Sequence, residues 1–227
     1  MARSFTVTTS YTFSKSIDNA SSDRGGSDVP PNTKNAAIER GVSDFDRTHI
    51  LSASYIYEVP RITRLRFAGL LINGWQISGI TRMNSGGAFD AVMSQDVAGI
   101  GGTQNQRPHL IAPVTYPKTV DEWFSVASFD RPASGTFGNL GRNTLRRPGI
   151  HRWDASLMKN FHFAEKAGRY LQFRAEFFNA PNHPSFTTVG TSLTTVAAGV
   201  DPTQNNFGAV TGTRDARVLQ FALKLYF

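Results

Sequence analysis

The run from Arg217 to Phe227 ends the chain, and its side chains alternate in character. Leu219, Phe221, Leu223, Leu225 and Phe227 share one parity; Gln220, Ala222 and Lys224 share the other, with Val218 and Tyr226 as apolar exceptions. A period of two puts alternate side chains on opposite faces of a strand, so this run predicts a strand with one unbroken apolar face. A tilted strand of about 9–11 residues is the unit of a bilayer-spanning barrel. A soluble sheet can use the same pattern, so the deciding question is whether the rest of the chain repeats it.

The pattern recurs. From Phe5 to about Ser16, the residues Phe5, Val7, Thr9, Tyr11 and Phe13 alternate with Thr6, Thr8, Ser10, Thr12 and Ser14. A second strand is predicted over Arg47 to Glu58, with Leu51, Ala53, Tyr55 and Tyr57 opposing Ser52, Ser54 and Glu58, and a third over Leu70 to Asn84, with Trp75, Ile77, Gly79, Thr81 and Met83 opposing Gln76, Ser78 and Arg82. The fourth, Arg152 to Phe163, shows Trp153, Ala155, Leu157, Phe161 and Phe163 against Asp154, Ser156 and Asn160. Lys159 falls on its apolar parity, which calls for a bulge or for snorkelling towards a membrane surface. The fifth, Tyr170 to Phe178, sets Leu171, Phe173, Ala175 and Phe177 against Gln172, Arg174 and Glu176.

The connections between these strands alternate in length. Asp18–Asp46, Ser85–His151 and Asn179–Asp215 are long and rich in breakers such as Gly25, Gly26 and Pro202. The stretches about Pro60–Phe67 and Ala164–Arg169 are short. A helical turn is expected at Ala36–Arg40, and Thr119 with Glu122 resembles a capping box opening a short helix through Trp123 and Phe124. Membrane barrels have short turns on one side and longer loops on the other, which up-and-down strands deliver automatically. The fold class this implies is all-β: an antiparallel transmembrane β-barrel segment with long extracellular loops. Gln172, Arg174, Glu176, Gln220 and Lys224 would then face a wet lumen. Tyr55, Tyr57, Tyr170, Tyr226 and Phe227 would sit at the interfaces, where aromatic girdles belong. About six strands cannot close a barrel, for which roughly eight is the lower limit. An open edge in lipid leaves unpaired backbone groups, so the expectation is that residues 1–227 are about six C-terminal strands of a larger barrel, with no plug domain.

Composition agrees with strands over membrane helices. Of 227 residues 40% are hydrophobic and 11% aromatic, with 17 phenylalanines. No apolar run approaches the roughly 18 residues of a membrane helix; the longest, Phe67 to Ile72, falls far short. There is no cysteine, so no disulfide stabilises the fold. The first ten residues hold no apolar signal core, which suits a cytosolic protein or a piece of a longer one. The net charge is +7. Its carriers scatter through turns and loops, at Arg61, Arg64 and Arg66 and at Arg142, Arg146 and Arg147, without a basic helix or an aromatic-basic RNA-binding strand, so no nucleic-acid partner is expected. The second of those groups could meet anionic surface sugars, but solvated loop charge is the favoured reading.

Motifs for chemistry are weak. His49, His109, His151, His162 and His183 form no HExxH pattern and no close cluster. Asp44 with Asp46 suits turn capping better than a cation site. Gly99 to Gly102 lacks the lysine of a phosphate loop, and Asn84 to Gly87 lacks the first glycine of a nucleophile elbow. Arg174 and Glu176 read as a structural lumen ion pair with neighbours such as Lys224. Neither an enzyme, a metal site nor a cofactor is expected.

Four stretches resemble a known family. Gly74 to Gly79, Gly135 to Asn143, Leu171 to Asn179 and Asn182 to Phe186 are similar to the C-terminal barrel region of TonB-dependent receptors, closest to the Oar-like type with a carboxypeptidase-regulatory-like domain near its N-terminus. The resemblance implies a barrel of about 22 strands with a plug, energised by the TonB system, which here would act through a plug domain that this sequence lacks. It implies that both termini face the periplasm, that outer-membrane lipid surrounds the strands, and that the barrel-assembly machinery reads Phe221, Leu223, Leu225 and Phe227. The reading from another class is a soluble or secreted β-sandwich that binds carbohydrate, with Trp75, Trp123 and Trp153 as stacking platforms. In that fold the apolar faces would meet across a dry centre.

Overall fold

The computed structural model describes residues 5–21, 30–60, 62, 66–103, 105–164, 169–194 and 206–227. Gly25, Gly26, Arg61, Arg64, the turn residues 165–168 and Pro202 lie outside them, as does the side chain of Phe163. Six long strands carry the fold: β1 (Phe5–Phe13), β2 (His49–Glu58), β3 (Trp75–Asn84), β4 (Ile150–Ala164), β5 (Arg169–Phe178) and β6 (Val218–Tyr226). They form one sheet in which every strand pairs antiparallel with its neighbour in sequence, β1-β2-β3-β4-β5-β6.

Register turns six separate alternations into two continuous surfaces. Val7 pairs with Tyr55, Tyr55 with Gly79, Gly79 with Ala155, Ala155 with Phe177, and Phe177 with Leu219. One position along, Thr8, Ser54, Ile80, Asp154 form a row on the other side. Directly opposed residues share a face, so apolar parity meets apolar parity at each of the five interfaces. The apolar face is uncovered over much of its area: Phe5 is 58% exposed, Ile77 42% and Phe221 65%. No second long sheet lies against it among the described residues.

Several boundaries differ from the sequence-based expectation, each for a local reason. β1 stops at Phe13 because the Ser16 amide turns away from the ladder to the Asp46 carboxylate, at 2.8 Å. β4 begins earlier, at Ile150, because Ile150 and His151 still find partners in Asn84 and Met83. Leu70 to Ile72 are not strand but the end of a short helix, α1 (Arg66–Ile72). The Trp75 indole donates back to the Leu71 carbonyl at 2.9 Å, and Gly74, at φ +79°, supplies the left-handed step between helix and strand. That turn also accounts for Lys159. The β4–β5 register runs unbroken from Ala155 to His162, so no bulge accommodates the lysine. Lys159 is 1% exposed: its ammonium donates to the Asn73 carbonyl and lies over the Trp75 and Phe161 rings at 5.4 and 5.2 Å. The cation is satisfied by a carbonyl and two π-faces instead of snorkelling to a surface.

The well-buried apolar core lies outside the long strands. Phe89, Met93, Phe124, Phe129, Leu140, Leu145, Val189, Leu193 and Phe207 cluster among the connections at one end of the sheet. Phe124 stands at its centre, edge-on to Phe129 and Phe207 at 5.6 and 5.2 Å. Short ladders stitch the connections together, among them Val92–Met93 with Ser192–Leu193 and Phe186–Val189 with Val210–Thr213. The regions expected to be irregular loops therefore form a packed cap. The expected turn at Ala36–Glu39 is a 3-10 helix. The expected helix does not form at Trp123 and Phe124: the Thr119 hydroxyl caps the Glu122 amide at 3.0 Å, but the Glu122 carboxylate accepts from Val126 and not from Thr119, and only a 3-10 helix forms just beyond, at Val126–Ser128.

Candidate functional site

Three arrangements have chemical content: a polar ladder on the sheet, a knot of buried ions in the cap, and a cleft where cap and sheet meet. The ladder follows from register. Gln172 faces Lys224 and Glu176 faces Gln220, while Arg174 faces Ala222 on the same side. Arg174 reaches Glu176 along its own strand at 3.5 Å. Lys224 does not join them; its ammonium lies over the Tyr226 ring at 4.9 Å. Tyr170 and Tyr226, expected in an interface girdle, stack at 4.3 Å on this polar face. Tyr55 is a mid-strand residue, level with Val7 and Gly79. Tyr170 and Tyr226 do not fit an outward girdle because they share the parity of Gln172 and Lys224, and Tyr55, though on the apolar parity, stands inside its strand rather than at its end.

The cap is knotted by charge. Arg107 is buried and donates to both oxygens of Glu39, at 2.8 and 2.9 Å, and to the Leu140 carbonyl. Arg142, also buried, pairs with Asp18, and Arg146 pairs with Asp46 at 2.7 Å. The Asn143 side chain donates to the Val42 carbonyl and to Asp44 at 2.7 and 2.8 Å. These bonds fasten the first long connection to the second. Arg142 and Arg146 are thus not solvated loop charge. Asp18 and Asp46 hold their protons less tightly than ordinary carboxyls. Burial pushes each up, but for Asp18 the bonds from Ser43, Arg142 and Ser21, and for Asp46 the Ser16 amide and Arg146, outweigh it. Asp90 goes the other way, since its burial outweighs the Asn143 amide and Arg107.

Two of the stretches that resemble the TonB-dependent receptors have plain structural jobs. In the Gly135–Asn143 stretch, Gly138 lies so close to the Arg107 and Pro108 carbonyls that a Cβ would come within 2.2 and 2.3 Å of them. Asn139 brackets Leu110 by accepting from its amide and donating to its carbonyl. After Phe178, Asn179 and Asn182 adopt positive φ, and Asn179 bonds both backbone groups of His183 at 3.1 Å, turning the chain from β5 into the cap. The Gly99–Gly102 stretch is no phosphate cradle. The amides of Gly99, Ile100 and Gly101 already point at Asp96, whose acidity the Gln106 side chain strengthens first.

The cleft has a volume of about 690 Å³. Its floor is one register row of the apolar face, Tyr11, Leu51, Met83 and His151. Its roof is cap: Tyr116, Lys118, Trp123, Arg146 and Arg147. No Asp or Glu lines it. Arg147 lies 5.0 Å over the Phe89 ring, and burial lowers the pKa of its guanidinium, with Arg47 adding to the effect. Sequence reasoning grouped Arg146 with Arg147 but missed the cleft, because its lining is gathered from separate stretches of the chain between Tyr11 and His151.

A family model described as "Outer membrane beta barrel domain" matches residues 1–220. The chain belongs to that family. It is an outer-membrane β-barrel protein, and the outer membrane is where it resides. No curated protein and no solved structure matches it.

Within this outer-membrane barrel domain the terminal-strand residues are accessible: Phe221, Leu223, Leu225 and Phe227 are 65, 69, 55 and 97% exposed. The sandwich alternative has no support. Trp75, Trp123 and Trp153 sit at the start of β3, in the cap and on β4, and Trp75 lies level with Lys159, six residues or about 20 Å along the ladder from Trp153. Of the five histidines, His49 bonds Tyr11 at 2.9 Å and His151 stacks on His183 at 6.3 Å. Among the described residues no group of three or more acidic, histidine or cysteine side chains is placed to hold a metal ion, and no helix is long and apolar enough to cross a membrane.

Proposed function

We propose that this chain forms the C-terminal strands of the barrel of a TonB-dependent receptor of the Oar-like type, which takes up a solute across the outer membrane. The carrying observation is the sheet itself: consecutive antiparallel strands with one polar and one apolar surface, paired on one side only at β1 and β6. Unpaired backbone groups cost several kcal/mol each in hydrocarbon, so further strands pair with those two edges to complete the wall. The apolar face turns to lipid. Gln172, Arg174, Glu176, Gln220 and Lys224 turn to the lumen, where water or a plug satisfies them. The packed cap lies on the extracellular side and the two short turns in the periplasm. The barrel-assembly machinery reads Phe221, Leu223, Leu225 and Phe227, which stand clear of the rest of the chain on the β6 edge. No step calls for a catalytic residue or a cofactor. The test is genetic: deleting the encoding gene and deleting the energising TonB system should produce the same growth defect on one solute from a nutrient panel. A solute defect in the gene deletion that the TonB deletion does not share, or that adds to the defect of a TonB-deleted strain, would contradict this reading.

A further inference from the structure

The cleft between cap and sheet sits where the apolar face ends. In the barrel reading on which this inference rests, that is the boundary between the outer leaflet's acyl chains and its headgroups. Chemistry changes across the cleft in the same order. Leu51 and Met83, side by side in one register row, begin the greasy wall. Tyr11 and Trp123 have apolar bodies with a polar edge, which suits an interface. Above them Lys118 and Arg147 make no ion pair among the described residues, whereas Arg146 is already engaged by Asp46. A cleft lined by cations and by no carboxylate is complementary to an anion, and its apolar floor is complementary to an alkyl chain.

We infer that this cleft holds the phosphate headgroup of an outer-leaflet membrane lipid, with Lys118 and Arg147 against the phosphate and an acyl chain running down over Leu51 and Met83. A free phosphate in solution would meet the same two cations but gain nothing from the floor. The half-buried Arg147 guanidinium is already stripped of part of its water, so less desolvation remains for the bound state. The volume of about 690 Å³ takes a headgroup and the first part of its chains.

The test uses the full chain reconstituted in bilayers of phosphatidylcholine mixed with phosphatidylglycerol, followed by detergent extraction and native mass spectrometry of the retained lipid. The site requires retention of phosphatidylglycerol over phosphatidylcholine, weakened by added salt. Lys118 is exposed and meets the cap through its backbone amide, which donates to the Trp123 carbonyl. Lys118→Gln therefore leaves packing intact and is expected to lower the preference about fivefold, the effect of one cation near an anionic surface. Arg147→Gln should lower it at least as much. Equal retention of the two lipids, or unchanged preference in Lys118→Gln, overturns the site. Displacement of the lipid by inorganic phosphate at matched ionic strength overturns a lipid occupant in favour of a free anion. A fluorophore at position 221 in the same samples reports on the underlying reading. If lipid-borne nitroxides quench it while headgroup preference is missing, only the site fails; without quenching, barrel wall and site fail together.

Discussion

Arg107 is the side chain on which the cap's geometry turns. Both its forks and its Nε are used, on Glu39 and on the Leu140 carbonyl, in a buried setting. Removing one partner of a buried pair leaves an uncompensated charge, costing about 3–5 kcal/mol, while replacing both with apolar groups of similar volume is often near neutral. Arg107→Met alone should therefore open the cap to protease at temperatures where the wild type resists, and Arg107→Met with Glu39→Met should restore much of the resistance. Acid should loosen the cap through different residues. Asp18 and Asp46 have folded pKa values below their unfolded ones, so the stability they contribute is complete above the unfolded value and lost as pH falls through the folded one. Asp90 is shifted upward and opposes this, because protonating it on the way down relieves a burial cost. Loop proteolysis should rise below about pH 4, and the rise should be smaller in Asp18→Asn and Asp46→Asn, whose caps begin weaker at neutral pH. A rise of the same size in both variants would assign acid sensitivity elsewhere.

At the level of elements, the strands were legible in the sequence and the cap was not. Period-two alternation is local, so the parity of Phe173 or Gln172 could be read from nine residues, and register then only had to join like faces. Where a turn packs back on its own strand, alternation misleads: Leu70 to Ile72 continue the pattern numerically but are helix, and Lys159 looks exposed to lipid but is covered by that turn. Cap contacts such as Phe124 with Phe207, or Arg142 with Asp18, join residues far apart in sequence, and glycine-rich, asparagine-rich composition conceals them. One element-level signal is testable by substitution. At Gly79 an added Cβ would stand 2.5 Å from the Tyr55 hydroxyl and 2.6 Å from the Asp154 carbonyl. The tyrosine can swing; the β4 backbone cannot. Gly79→Ala should destabilise the β2–β3–β4 sheet by about 1–3 kcal/mol, seen as a lower unfolding midpoint in detergent. An unchanged midpoint would mean that β3 shifts freely against its neighbours.

The whole molecule divides labour between a wall and a cap. The wall has little buried core of its own, since Ala175 is its one apolar side chain among the buried residues, and it relies on ladder hydrogen bonds and on its surroundings. The cap carries its own aromatic core and buried ions. Membership of the outer-membrane barrel family explains why large apolar side chains stand uncovered on one side of a sheet whose other side is polar. The most direct test of that division uses the absence of cysteine, which lets single cysteines be introduced without background. Fluorophores would be attached one at a time at Leu171, Phe173, Leu219 and Phe221, and at Gln172, Arg174, Gln220 and Lys224, with the chain in bilayers. Quenching by lipid-borne nitroxides at the first four and by aqueous iodide at the second four is the expected result. The opposite pattern, or iodide quenching at all eight, would contradict it.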